Sequence, residues 1–257
     1  MGEITVQRDG AVLTIALNRP ERLNSVTTDV LNDLADLIEE AAADAEVRVI
    51  VLTGTGRAFS SGADLKSGAT ATGKPGTDTI LAANRVIRAL RDARQPTVAA
   101  VNGPAVGVGC SLALACDLTL ASSDAYFLLS FTSIGLMPDG GATALVPTSI
   151  GRARAMAMAM VPERIPAAEA VAWGLIYKAV DAAELAAALK ALTDRLSTGA
   201  PLALAATKRA VNEATLTALE GALGRELEGQ GRLLQTADVA EAVIAFIEKR
   251  PPKFTGS

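Results

Sequence analysis

The chain has 257 residues, half of them hydrophobic, enough to bury a sizeable core in one or two domains. Its 24 basic and 28 acidic residues leave a net charge of -4 with no Lys/Arg run, so neither a nucleic-acid footprint nor a polybasic membrane patch is indicated. There is no histidine, which excludes Ser-His-Asp, Cys-His and His-metal chemistry within the chain, so a general acid or base has to be Asp, Glu, Lys, Tyr, Cys or a bound water.

The opening "MGEITVQRDG" does not read as a signal peptide. "EITVQRD" and "AVLTIAL" flank Asp9-Gly10, a strand, tight turn and strand. "RPERLNS" is a polar loop. Val30, Leu31, Leu34, Leu37, Ile38 and Ala41 recur at helical spacing and predict an amphipathic helix over 28–45. "VRVIVLTG" reads as a strand buried on both faces, followed by the Gly/Ser-rich loop "GRAFSSGADLKSG". Residues 67–78, "SGATATGKPGTD", carry little pattern. Ile80, Ala83, Ile87 and Leu90 mark another helix.

No residue from Pro96 to Cys116 is charged, but its prolines, Asn102 and glycines divide it into strand "PTVAAV", loop and helix "GCSLALAC" rather than a membrane span. No membrane insertion and a cytoplasmic location are expected. Cys110 and Cys116 are expected to be free, buried and inert, with no disulfide or zinc spacing. "DLTLAS" is a further strand. "GGATALVPTSIGRARAMAMAM" reads as one or two helices broken near Ile150-Gly151. "PAAEAVAWG" is a short helix ended by Gly174, and "LIYKAV" is a strand. Leu185, Leu189, Leu192 and Leu196 line a helix, and Pro201 starts the next one. "TADVAEAVIAFIEKRPPKF" predicts a last helix with Val239, Val243, Phe246 and Ile247 on one side. Alternating buried strands and helices give an α/β layer arrangement. Residues 1–195 read as the α/β core and 196–257 as a helical C-terminal region suited to packing on a neighbouring subunit.

Two Gly-containing loops follow apolar strands: "SSGADLK" (Ser60 to Lys66) and "NGPAVGVGCS" (Asn102 to Ser111). If both precede helices, their free N–H groups can converge on an oxygen that gains negative charge. Glycines needed only for close helix–sheet packing are the alternative. No G-x-G-x-x-G or P-loop pattern occurs.

"LNRPERLNS", "GRAFSSGADLK", "PTVAAVNGPAVGVGCSLALACDLTLAS", "FTSIGLMPDGGAT" and "AFIEKRPPKF" resemble, in order and spacing, the enoyl-CoA hydratase/isomerase family of the crotonase superfamily. The resemblance implies a crotonase-like α/β spiral of β-β-α units with a helical C-terminal trimerisation region, as a homotrimer or dimer of trimers. It implies an acyl-CoA substrate, with coenzyme A entering as part of the thioester and no tightly bound cofactor or metal. It places two oxyanion-holding N–H groups at Ala63 in "SGAD" and at Val108 in "AVGVGCS", where valine replaces the usual glycine and narrows the space beside it. In relatives the segment matching Arg22, Leu23 and Asn24, with Ser61 to Leu65, brackets the nucleotide and pantetheine. Arg22 is then a phosphate partner, or simply a solvated arginine. Asp64 reads as tying the loop. Phe246 and Lys249 match residues that approach the adenine end from an adjacent subunit, with a core aromatic and a helix-end cation as the alternative. Trp173 reads as core.

A typical hydratase of the family uses two glutamates. One follows the cysteine, where this chain has Ser111; the other falls four residues beyond Phe127, where it has Phe131. Both carboxylates are absent, and nothing in the sequence activates Ser111 as a nucleophile. Ser111, Ser130, Phe131, Ile134 and Leu136 are expected to line the acyl pocket, with 67–78 above it. Asp139 is the remaining carboxylate: isomerase-type members carry an aspartate in a "GLIPD" context that "GLMPD" matches. It reads as a proton shuttle with a raised pKa, as the cap of the helix that follows, or as both. The expected activity is isomerisation of an enoyl-CoA double bond, with hydration by atypical groups, or acyl-CoA binding alone, as alternatives.

Overall fold

The computed structural model describes residues 2–64 and 76–257. The hairpin forms as its turn signal predicts: β1 (Ile4–Asp9) runs antiparallel to β2 (Val12–Leu17), with Asp9 opposite Val12. α1 (Thr28–Ala43) starts where Thr27 accepts a bond from Val30 N–H, and buries Val30, Leu31, Leu34, Ala35, Ile38 and Ala41. β3 (Val49–Gly54) joins β2 in parallel. Then follow α2 (Asp78–Asp92), β4 (Thr97–Val101), the two-residue β5 (Ala105–Val106) and α3 (Val108–Ala115). β6 (Leu118–Ser122), β7 (Tyr126–Leu128) and α4 (Ala142–Met160) repeat that β-β-α pattern. β8 (Ile165–Pro166), α5 (Ala167–Trp173) and β9 (Lys178–Val180) complete the strands.

The larger sheet has the order β1-β2-β3-β4-β6-β9 and the smaller one β5-β7-β8. β4 and β6 lie in the first sheet and their successors β5 and β7 in the second, so each repeat turns the chain from one sheet into the other. The fold is α/β with repeated β-β-α units. β3 is buried on both faces. Ile50 and Leu52 point into the main core with α1, α2 and α3, while Val49 and Val51 meet Leu189, Leu192 and Leu196 of α6 (Leu185–Ser197) on the opposite face.

The C-terminal bundle continues with α7 (Pro201–Thr215), α8 (Leu219–Leu233) and α9 (Ala237–Glu248). Pro201 opens α7 and Gly174, at φ 78°, ends α5, as their chemistry predicts. α4 is two helices joined at Gly151, whose φ of 74° and ψ of 164° break the helical path. The α9 expectation needs correction: its buried stripe is Val239, Ala242 and Ala245, whereas Val243, Phe246 and Ile247 are exposed. Small residues allow α9 to approach the 3-10 turn Phe131–Ile134 closely, where a Cβ on Gly135 would lie 3.3 Å from Asp238 and Val239 backbone. Among the described residues no helix is long and apolar enough to cross a membrane. Cys110 and Cys116 are free and buried, and burial pushes both thiols up to about 12.

One buried side chain ties the turn before α1 to the loop after β3. Asn24 sits at φ 55°, a left-handed conformation asparagine tolerates. Its Oδ1 accepts from Arg19 N–H, and its Nδ2 donates to the carbonyls of Thr55 and Ala58. Asn24→Ala strands those buried groups and adds backbone strain. We expect a loss of about 3 kcal/mol or more in a urea unfolding titration.

Candidate active site

Ser60 places the first loop. Its Oγ donates to the Asn24 carbonyl and accepts from Gly62 N–H, while its backbone bridges Ala105. The second loop then runs alongside the first: Val106 N–H donates to Ser60 O, and Gly107 N–H to Leu128 O. Glycine is required at this crossing. A Cβ on Gly62 would lie 2.8 Å from Val106 O, and one on Gly109 2.6 Å from Ser60 Cβ. The N–H of Ala63 and that of Val108, the first residue of α3, donate to no acceptor among the described residues. Ala63 is exposed and Val108 buried. Ser130 and Phe131 border the crossing. A Cβ on Gly107 would lie 3.6 Å from Ser130 Oγ and 4.0 Å from Phe131 Cζ.

Val108 and Ser111 on α3 also face the Asp139 segment. A Cβ on Gly140 would come within 2.9 Å of Ser111 Cβ and 3.5 Å of Val108 Cγ2. Ser111, fully buried, donates its Oγ to the backbone carbonyl of Asp139 at 2.7 Å, so its hydroxyl is committed to holding this segment.

The capping role lies elsewhere than Asp139. The residue before α4 is Gly141, at φ 78°. The carboxylate that binds the free N–H groups of α4 is Glu226 from α8: Oε2 accepts from Gly141 N–H at 2.7 Å, and Oε1 from Thr143 N–H at 2.8 Å and from the Thr143 hydroxyl. Asp139 is therefore not the cap. Its Oδ2 accepts a 2.8 Å bond from Gln230 Nε2, while its Oδ1 is buried and has no hydrogen-bond partner among the described residues. Burial pushes the Asp139 carboxyl up to about 7; the Gln230 bond lowers it and the nearby Glu226 charge raises it.

The remaining expected site residues fall into three groups. Asp64, 8 % exposed, pairs with Arg19 at 2.9 Å and lies 3.8 Å from the exposed Arg22 guanidinium, which agrees with its reading as a loop tie. Asn24 is internal, Leu23 is half-buried at φ 52°, and Ser61 binds the Leu23 and Arg22 carbonyls. Ile134 and Leu136 are half-buried, Leu136 against the main core. Phe246 is 60 % exposed and so is not a core aromatic; Lys249 ends α9 in a left-handed conformation and is exposed. Neither is hydrogen-bonded or ion-paired to the Arg22–Asp64 group among the described residues. Trp173 packs against the core beneath Arg154. Leu65 and most of the 67–78 segment lie outside the described residues.

The chain matches the enoyl-CoA hydratase/isomerase family model over residues 7–257. The chain belongs to the enoyl-CoA hydratase/isomerase family. It is 37 % identical to the 1,2-epoxyphenylacetyl-CoA isomerase of Escherichia coli over 95 % of both chains. It is 43 % identical to a probable enoyl-CoA hydratase of Rhodobacter capsulatus, covering 94 % of this chain and 93 % of that one. A solved enoyl-CoA hydratase from Mycobacterium avium subsp. paratuberculosis superposes with a TM-score of 0.91 at 48 % identity, over 99 % of both chains. Membership assigns the chain to crotonase-type catalysis on acyl-CoA thioesters.

The sequence alone does not mark Glu226 and Gln230 as site residues. The signal available was a buried helical stripe, Leu219, Ala222 and Leu223, continuing into two polar positions that the structure buries completely or nearly so.

A carboxyl with a raised folded pKa binds its proton more tightly in the native state. Its effect therefore destabilises the fold as pH climbs from the ordinary 3.8 to about 7, and stays constant above that. Asp139→Asn removes this titration. In thermal melts the variant should gain on wild type steadily between pH 4 and pH 8, by on the order of 4 kcal/mol at the upper end.

Proposed function

We propose that this enzyme moves the double bond of an enoyl-CoA, converting a 3-enoyl thioester into its 2-enoyl isomer. The observation that carries the reading is the buried, uncapping carboxylate of Asp139, whose Oδ1 has no hydrogen-bond partner among the described residues. Asp139 takes a proton from C2, which the thioester acidifies. The dienolate oxygen is held by the Ala63 and Val108 N–H groups, and the proton returns to C4. The carboxylate ends as it began, and no second base is needed. A pKa near 7 suits a group that takes and returns the same proton. Ser111 and Phe131, in place of the two hydratase glutamates, leave no paired acid and base for adding water. Ser130, Phe131, Ile134 and Leu136 line the acyl chain.

On the coenzyme side, Arg22 meets a phosphate, and Leu23, Asn24, Ser61, Asp64 and Leu65 shape the path of the pantetheine. Phe246 and Lys249 serve the adenine end of an adjacent protomer in a homotrimer or dimer of trimers. The exposed Leu202, Val211, Val243, Phe246 and Ile247 support that assembly. Hydration is the second reading, favoured by the names of the Rhodobacter and Mycobacterium relatives.

Assays with 2-enoyl- and 3-enoyl-CoA thioesters separate the two. Isomerisation should proceed, with kcat/KM rising through a midpoint near pH 7 as Asp139 loses its proton. Asp139→Asn should lower kcat by roughly 10²–10⁴. Hydration of the 2-enoyl compound at ordinary enzyme rates, or full isomerase activity in Asp139→Asn, overturns the reading.

A further inference from the structure

α8 presents Glu226 and Gln230 one turn apart on its buried face, at 0 % and 1 % exposure. Both reach the segment from Met137 to Thr143. Gln230 Oε1 accepts from Met137 N–H at 3.4 Å, which orients the amide so that Nε2 faces Asp139 and can only donate. Glu226 binds Gly141 and Thr143 with both oxygens. The Asp139 carbonyl is fixed from the other side by Ser111. The Asp139 carboxylate is thus reached by one neutral donor and feels the charge of one other carboxylate, Glu226. The α3 residues that border the Asp139–Gly140 backbone, Val108 and Ser111, are uncharged. Thr143, at the start of α4, is uncharged as well.

We propose that Gln230 and Glu226 are positioning residues for Asp139: Gln230 aims its carboxylate through Oδ2, and Glu226 holds the backbone turn that follows it. The proposal deepens the isomerase reading, since it names what keeps the proton carrier between its two states. A donor-only bond to Oδ2 is stronger to the carboxylate than to the neutral acid protonated at Oδ1, so it favours the anion. A second carboxylate in a dry setting opposes that anion. Burial raises the carboxyl most, and these opposed influences from a single helix adjust where it accepts and releases a proton.

The two influences predict shifts of opposite sign, which a merely structural role does not. The experiment follows the Asp139 carboxyl directly, by ¹³C NMR of protein labelled at aspartate carboxyls, with Asp139→Asn assigning the signal. Gln230→Met should raise the titration midpoint, and Glu226→Gln should lower it, each by about one pH unit. The kcat/KM midpoint should move with it. In wild type the Gln230 side-chain amide signals should titrate with the same midpoint as Asp139. Either variant alone is informative if the other does not fold, and the wild-type amide titration needs neither. Coincident midpoints in wild type and variants, shifts of the same sign, or a Gln230 amide indifferent to pH overturn the proposal. Should Asp139→Asn keep full turnover while the midpoints separate, the isomerase reading fails and the positioning stands. Should Asp139→Asn be inactive while the midpoints coincide, the positioning fails alone.

Discussion

A helix that begins in the protein interior must find acceptors for its first N–H groups. Here α4 finds them in Glu226, a carboxylate carried by a helix more than 80 positions later in the chain. That bond organises the centre of the molecule. It brings α8 against the start of α4, and Gly140 and Gly141 can follow only because their φ values of 64° and 78° suit glycine. Gly141 also leaves room for Leu219 of α8, whose Cδ1 would lie 2.8 Å from a Cβ at that position. With the N–H groups satisfied by Glu226, Asp139 is left buried with one oxygen bound by Gln230 and the other without a partner among the described residues. An interior carboxylate held this way is unfavourable for stability, and that cost is the kind accepted at sites where a proton has to move.

The crossing of the two glycine loops depends on the same economy of space. Asn24 holds the first loop through Ser60, Ser60 bonds the second loop through Val106, and glycine at positions 62, 107 and 109 lets the backbones touch. The result leaves two backbone N–H groups, at Ala63 and Val108, without acceptors among the described residues, and Val108 borders the segment that carries Asp139. Val108 serves both parts: its N–H is an unpaired donor among the described residues, and its side chain borders Gly140. The β-β-α repeat supplies both ends of this arrangement, because α3 and α4 begin at equivalent points in successive repeats.

Much of this was legible in the sequence. The apolar run "VIVLTG" reads as a strand covered on both sides and "TVAAV" as a second apolar strand, and both are buried strands. Gly174 and Pro201 marked helix ends through their own backbone chemistry. β5, β7 and β8 were not legible, because segments of two or three residues carry no period to detect. α8 carries only a weak helical signal because Gly221, Gly224, Gly229 and Gly231 lower its helical propensity and its buried stripe turns polar at Glu226 and Gln230. Without α8, Asp139 could equally be a cap or a proton carrier, since nothing local says which carboxylate reaches the N–H groups of α4. On α9 the pattern favoured the larger apolar residues, whereas close packing against the 131–134 turn selected the smaller ones.

In the proposed reaction one enclosed carboxylate carries the same proton between two carbons. Asp139 is only 7 % exposed, so a proton it accepts should return to substrate before it exchanges fully with water. The direct measurement uses a 3-enoyl-CoA carrying deuterium at C2 and follows the label in the 2-enoyl product by mass spectrometry from the first turnovers. Part of the deuterium should reappear at C4, and this transfer should disappear in Asp139→Asn. Complete loss of label to solvent from the first turnover, or transfer that persists without the Asp139 carboxylate, would contradict that reaction.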